Sequence, residues 1–347
     1  MRKINQEGFV SALAGVLLAT MVGTPAYAQS SDKPLIGFTS TALTNPYTIT
    51  FHELIQGYGK AHGYNVLPTV DSNSDAAKQI DDMTTMISAG VKGILLETVD
   101  GKAVKVALDR AEAAGVKVVA VDTGPDQGGG KVAITVTVSS YVLGQRSCEQ
   151  LGKIMKGKGK VLEIQGRLNN QVGVDRSAGF NDCIKKNFPD IAVVSKPGEW
   201  IEDKATTAAQ TVLSTDPAVN GIYLASDSAY LPGVLNVLKR LGRLSKVGEE
   251  GHVPIVGIDG SPFALEQIRE GYLDATIGQP MTAYTEWGFK YLDAAMQGKT
   301  FSAGPTDHGS EIVVDKSGNL ADVLPPTTIT VENASDTSLW GNQGQNN

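Results

Sequence analysis

The sequence predicts an α/β protein of two lobes, each a parallel sheet covered by helices. Three observations carry this prediction. Short β-rich apolar runs alternate with amphipathic helical stretches, and the same alternation restarts near Ser140. Both halves also end on an aspartate at the carboxyl end of a strand, in Val121-Asp122-Thr123-Gly124 and in Ile258-Asp259-Gly260-Ser261.

In the first half, residues 35–38, 65–69, 93–96 and 118–121 read as strands, being short, apolar and bounded by turn formers. Residues 51–62, 76–88 and 103–114 between them read as helices. Each is followed closely by a glycine, Gly63, Gly90 or Gly115, as a helix end requires. Gly128-Gly129-Gly130-Lys131 opens no helix and precedes a β-type run at 132–138, so it reads as a turn rather than a phosphate cradle.

The second half repeats the design, with strands at 161–164, 192–195, 221–224 and 255–258 and helices that include 140–156 and 174–187. A further strand at 275–277 and a helix at 283–296 leave enough chain to cross back to the first lobe. No linker rich in Pro, Gly or Ser separates the halves, which suits several short crossovers. Residues 333–347, rich in Asn, Ser, Gly and Gln, are expected to form a flexible tail.

The amino terminus sets the compartment. Arg2 and Lys3 precede an apolar run at 9–22 and the small-residue pattern Ala26-Tyr27-Ala28, which together read as a secretory signal peptide cleaved after Ala28. The run is too short and too interrupted for a membrane anchor. A lipid-bearing cysteine would have to follow it directly, and the first cysteine is Cys148. A soluble periplasmic protein is expected. In that compartment Cys148 and Cys183 form one disulfide or stay as two buried thiols; their adjacent helices favour the bond.

With 37 acidic and 30 basic residues, a net charge of −7 and no basic cluster, the chain lacks the footprint of a nucleic-acid binder. An intracellular repressor would carry a basic helix-turn-helix where the export signal stands. A hydrolase elbow of the form Gly-x-Ser-x-Gly is missing, as are a phosphate loop and a dinucleotide fingerprint. His52, His62, His252 and His308 never pair at metal spacing, so neither a metal nor a cofactor is expected. Two strand-end aspartates facing each other would instead aim two carboxylates into one cleft, where ligands of open α/β sheets sit.

The strand ends read together resemble the ribose-binding-protein-like, type I periplasmic binding proteins of ABC sugar importers. The stretches that carry the likeness are Thr41-Ala42-Leu43-Thr44-Asn45-Pro46-Tyr47, Gly93-Ile94-Leu95-Leu96 and Val121-Asp122. They continue with Asp175-Arg176-Ser177-Ala178-Gly179-Phe180, Val256-Gly257-Ile258-Asp259-Gly260 and Ala275-Thr276-Ile277-Gly278-Gln279. The resemblance covers roughly residues 34–323. It implies two Rossmann-like lobes joined by a three-strand hinge, a monomer that closes on a monosaccharide or related polyol without chemistry and hands it to an importer's permease and ATPase.

The implied N-terminal lobe is 33–138 plus 279–303 and the C-terminal lobe 139–278 plus 304–332, with hinges near Ser139, Gly278 and Ala303. Carried over singly, Asn45 and Tyr47 match the family's Asn-Pro-aromatic loop, and Asp122 and Asp259 its hydroxyl-binding carboxylates. Arg176 matches a sugar-facing arginine, Trp200 an aromatic wall and Gln279 a hinge-side amide. Thr41, Thr98, Ser139 and Ser226 match polar contact positions. Ser226 also reads as the cap of a helix beginning near Asp227. The ribose-type pattern has Arg where this chain has Thr123, which is expected to face the ligand, and Asn where it has Thr98 and Ser226. The ligand is therefore left open among monosaccharides, polyols and, within the same fold, an autoinducer or nucleoside.

Sugar hydroxyls and apolar C–H faces call for this set of side chains. Carboxylates and a guanidinium make strong charge-assisted bonds, and flat rings cover the faces.

Overall fold

The computed structural model describes residues 33–343; the export signal expected at 1–28 lies outside them, as do the last four residues of the tail. The first lobe runs β1 (Leu35–Ser40), α1 (Pro46–Ala61), β2 (Asn65–Val66), β3 (Val70–Asp71), α2 (Ala76–Ser88), β4 (Gly93–Leu96), α3 (Lys105–Ala113), β5 (Lys117–Val121) and β6 (Thr135–Thr137). The second runs α4 (Ser140–Ile154), β7 (Lys158–Gln165), α5 (Gln171–Asn187), β8 (Asp190–Pro197), α6 (Glu202–Thr215), β9 (Gly221–Leu224), α7 (Asp227–Arg240), β10 (Ile255–Asp259), α8 (Pro262–Glu270) and β11 (Ala275–Gly278). After these come α9 (Met281–Met296), β12 (Gly304–Pro305), β13 (Glu311–Val314), β14 (Leu320–Val323), β15 (Thr327–Ile329) and a final 3-10 turn, Trp340–Asn342.

Strands β1 to β6 pair in parallel, in the order β6-β5-β4-β1-β2 with β3 also on β1, and the second sheet runs β11-β10-β9-β7-β8, again parallel. Both orders reverse direction at one point, between β1 and β4 and between β7 and β9. Such switch points open a crevice at the carboxyl ends of the strands. The central strands β4, β9 and β10 are buried throughout, as expected of a sheet covered on both faces. The first helix begins at Pro46, five residues before the apolar periodicity suggested, because Asn45 caps it and proline fits its first position.

The segment 304–323, expected in the second lobe, joins the first sheet instead. β13 pairs antiparallel with β14, and β14 runs parallel beside β6, with Ala321 opposite Thr135. This pairing covers the edge of β6, which would otherwise present unpaired backbone groups. β15 does the same for β11 in the second sheet. The third crossover therefore runs through Leu324-Pro325-Pro326 rather than near Ala303, where the prolines, lacking N–H donors, belong to neither ladder.

The tail through Gln343 is not loose. Trp340 is buried and its indole N–H donates to the carbonyl of Asp259 at 2.9 Å. Gly341 fits against the carbonyl of Gly260, where a Cβ would come within 2.4 Å. Composition misjudged this segment because a single aromatic anchor outweighs its polar neighbours.

Cys148 of α4 and Cys183 of α5 are bonded, with Cα atoms 6.1 Å apart. The two helices meet at glycines: Gly144 lies on the backbone of Arg176, and Gly179 on that of Tyr141. Closing a loop of 35 residues restricts the unfolded chain. Removing the bond should cost about 2–4 kcal/mol in urea denaturation. Intact mass after alkylation, with and without prior reduction, checks the bond; two thiols alkylated without reductant in exported protein would refute it.

Candidate functional site

The two switch points face one another across a cavity of about 140 Å³, built from loops at the carboxyl ends of the parallel strands. The first lobe contributes Thr41, Asn45 and Tyr47 after β1, Thr98 after β4, and Asp122 and Thr123 after β5. The second contributes Arg176 from α5, Trp200 after β8, Ser226 after β9, Asp259 at the end of β10 and Gln279 after β11. Of the ligand contacts expected from the sequence, only Ser139 does not line the cavity. It caps α4 at the first crossover, accepting from the Val142 N–H at 3.3 Å, so its hydroxyl is held by the helix end.

The two aspartates hold equivalent positions but differ in their partners. Asp259 is 2% exposed. Its Oδ2 accepts from the hydroxyls of Ser226 and Ser228, each at 2.6 Å. Its Oδ1 accepts from Gln279 Nε2 at 2.8 Å and, more weakly, from Arg176 Nη1 at 3.5 Å. Ser226 serves both readings offered by the sequence, since it also accepts from the Ala229 N–H as the cap of α7. Asp122 receives only the Thr123 hydroxyl, at 3.4 Å.

Both aspartates sit at positive φ, 63° for Asp122 and 125° for Asp259, where non-glycine residues are costly. Glu199 and Trp200 do likewise, at 54° and 62°. Strain of this kind persists only where the surroundings over-determine it, and it clusters at ligand sites. The surroundings are visible here. The buried carboxylate of Asp227 accepts from the N–H groups of Gly260 and Ser261, pinning the turn after β10. Tyr230 accepts from the Trp200 N–H at 2.8 Å and lies parallel to its ring. Gly166 makes room for the indole, since a Cβ there would fall 2.0 Å from it.

Glu97 also borders the cavity, and the sequence reading missed it. It is 3% exposed and accepts from Ser40 Oγ at 2.9 Å, the Thr41 N–H at 3.1 Å and Thr41 Oγ1 at 3.2 Å. The signal was present, because Glu97 directly follows the strand at 93–96, as Asp122 follows the next. Burial, and then the charge of Asp122, push the Glu97 carboxyl up to about 7. Burial likewise pushes Asp122 up to about 6; Arg176 opposes this and Asp259 adds to it. Burial also works against the Arg176 charge, but Asp259 and Asp122 outweigh it and hold the guanidinium above its ordinary value.

A raised carboxyl keeps its proton to higher pH in the folded protein than in the unfolded chain. The stability this confers is present below the ordinary carboxylate range and is lost as pH rises through about 6 to 7. A ligand donating to ionised Asp122 should therefore release a proton at pH 6 and bind more tightly as pH rises from 5 to 7. Calorimetry in buffers of different ionisation enthalpy checks this; proton uptake at pH 6 would contradict it.

The site is unfinished without a guest. The hydroxyls of Tyr47 and Thr98 and Nε of Arg176 are buried with no hydrogen-bond partner among the described residues. A native interior seldom leaves such groups unpaired. The Trp200 ring, with Arg176 Cζ 5.4 Å from its centroid, offers a flat apolar wall beside them. The cavity thus presents acceptors, donors and an aromatic face together. Among the described residues, no cluster of His, Cys, Asp or Glu is arranged to hold a metal, and no helix is long and apolar enough to cross a membrane.

A family model described as a periplasmic binding protein domain matches residues 36–300. The ribose import binding protein of Bacillus subtilis is 26% identical over 290 residues, covering 82% of this chain and 90% of the relative. The D-allose-binding periplasmic protein of Escherichia coli is 26% identical over 311 residues, covering 87% and 96%. A periplasmic solute binding protein of an ABC transporter from Actinobacillus succinogenes, solved with bound D-allose, superposes with a TM-score of 0.76 at 20% identity, covering 88% of this chain and all of that one.

Proposed function

The chain belongs to the periplasmic binding protein domain family, and from that premise we propose that it captures a monosaccharide or closely related polyol between its lobes and delivers it to an ABC importer. The relatives named for ribose and allose support this reading. The observation that carries it is the unfinished cavity. Asp122, Tyr47 and Thr98 of the first lobe and Arg176 of the second lack protein partners at one or more polar atoms, and a polyhydroxylated ring supplies donors, acceptors and a C–H face at once. The residues proposed to bind it are Thr41, Asn45, Tyr47, Thr98, Asp122, Thr123, Arg176, Trp200, Ser226, Asp259 and Gln279, joined by Glu97. Asp259 and Ser226 act mainly by holding Arg176 and the α7 end in place.

Contacts drawn from both lobes favour the closed arrangement. A ligand shifts an equilibrium only by its differential affinity for the two states. The crossovers at Ser139, Gln279 and Pro325-Pro326 are where backbone torsion would change. Export with cleavage after Ala28 completes the proposal.

Thermal-shift screening against pentoses, hexoses, polyols and nucleosides tests it. A true ligand at about a hundred times its dissociation constant adds ~2.7 kcal/mol, and small-angle scattering should then show a smaller radius of gyration. Stabilisation by nucleosides alone would replace the sugar reading, and stabilisation by none of the panel would overturn it.

A further inference from the structure

The charges around the cavity do not balance. Glu97, Asp122 and Asp259 border it against two guanidiniums, Arg176 and Arg167. Arg176 is committed within the second lobe, donating to the Ala225 carbonyl at 2.6 Å and pairing with Asp259. Arg167 turns its Nε to the Glu199 carbonyl at 3.3 Å.

Glu97 and Asp122 are the carboxylates left over. No Lys, Arg or His among the described residues forms an ion pair with either, and the groups that reach them are neutral hydroxyls and one backbone N–H. Glu97 is 3% exposed and Asp122 half-buried, and ionising a buried carboxylate without a counter-charge costs several kcal/mol, so the cost falls first on Glu97. The unpartnered hydroxyls of Tyr47 and Thr98, only 7% and 1% exposed, border the same space and show independently that a polar guest belongs there.

A neutral sugar would satisfy the hydroxyls but leave the excess negative charge in place. An ammonium group brings three donors, no acceptor and the missing positive charge. Resting on the sugar-binding reading above, we propose that the ligand is an amino-substituted sugar or alditol whose ammonium group lies between Glu97 and Asp122. Exchanging one hydroxyl for an ammonium adds no heavy atom, so a cavity of about 140 Å³ admits both and selects by charge rather than size. A sugar acid would add a further negative charge and is excluded. The raised carboxyl of Glu97 agrees with this, since burial and the charge of Asp122 push it up with no cation opposing them, while at Asp122 the charge of Arg176 offsets burial only in part.

The test is titration calorimetry of the purified exported protein at pH 7 with matched probes: glucosamine against glucose, galactosamine against galactose, 1-amino-1-deoxysorbitol against sorbitol, with gluconate as the anionic control. In at least one pair the amine should bind at least about tenfold tighter than its hydroxyl counterpart, and gluconate should not bind. Glu97→Gln and Asp122→Asn should each bring the ratio of amine to hydroxyl affinity towards one. If the neutral member binds as well as or better than the amine in every pair that binds, the amine proposal falls and the sugar reading stands. If no probe binds, the amine proposal falls, and the sugar reading is decided separately by the wider thermal-shift panel. A ratio unchanged in both variants would overturn the placement of the ammonium group.

Discussion

Ligand affinity is expected to fall at least tenfold, and by about a hundredfold if two bonds are lost, when Asp122 is replaced by asparagine or alanine. Hydrogen bonds to a charged group are worth about 1.5–3 kcal/mol each, and tenfold corresponds to ~1.4 kcal/mol. Asp122 has one long bond, to Thr123, and the Tyr47 hydroxyl near it without a well-aligned bond, so much of its acceptor capacity is left for the ligand. Asparagine is the cleaner substitution. It preserves shape and tolerates the left-handed φ of 63°, where alanine adds backbone strain. Because no protein ion pair is broken, folding stability should change little. Calorimetric affinity unchanged in both variants would remove Asp122 from the site.

Replacing Asp259 by alanine should act first on the fold, lowering stability by about 3–5 kcal/mol, the usual cost of breaking a buried ion pair from one side. Four side chains converge on this carboxylate: Ser226, Ser228, Gln279 and Arg176. Its removal leaves the Arg176 guanidinium buried with only the Ala225 carbonyl as partner. Adding Arg176→Met should recover part of the loss, because the stranded charge then disappears. Urea denaturation with an unchanged slope and a lower midpoint is the expected result. A midpoint equal to the parent's would show that the carboxylate is not the anchor described. The two aspartates therefore separate: one variant loses ligand while staying folded, and the other loses stability and, through Arg176 and Gln279, ligand as well.

Much of the architecture was legible in the sequence because it is written in local periods. A strand such as Gly221–Leu224 is a short fully apolar run, and a helix such as Ala76–Ser88 carries its own cap in Asp75. Each βα unit could be read without knowing what lay beside it. The strand-end positions of Asp122 and Asp259 followed from the same reading, because parallel sheets place loops at one edge, whereas Gln279 came from the family resemblance. Glu97 obeys the same rule, standing directly after the strand and one position before Thr98.

Local patterns were thus enough to establish the α/β class, the duplication into two lobes, and the edge of each sheet at which polar residues gather. Tertiary structure alone decided which sheet the hairpin of β13 and β14 completes, that the chain crosses for the third time at Pro325-Pro326, and that Trp340 folds back under Asp259. It also decided that Ser139 holds a helix end rather than facing the cavity, and that Asp259 is paired while Asp122 is not. The physical reason is that local periodicity records which face of an element is apolar, whereas edge pairing and the partners of a buried charge are set by residues far away in the chain. Asp259 meets Arg176 across 83 positions and Trp340 across 81, distances over which no local pattern carries information.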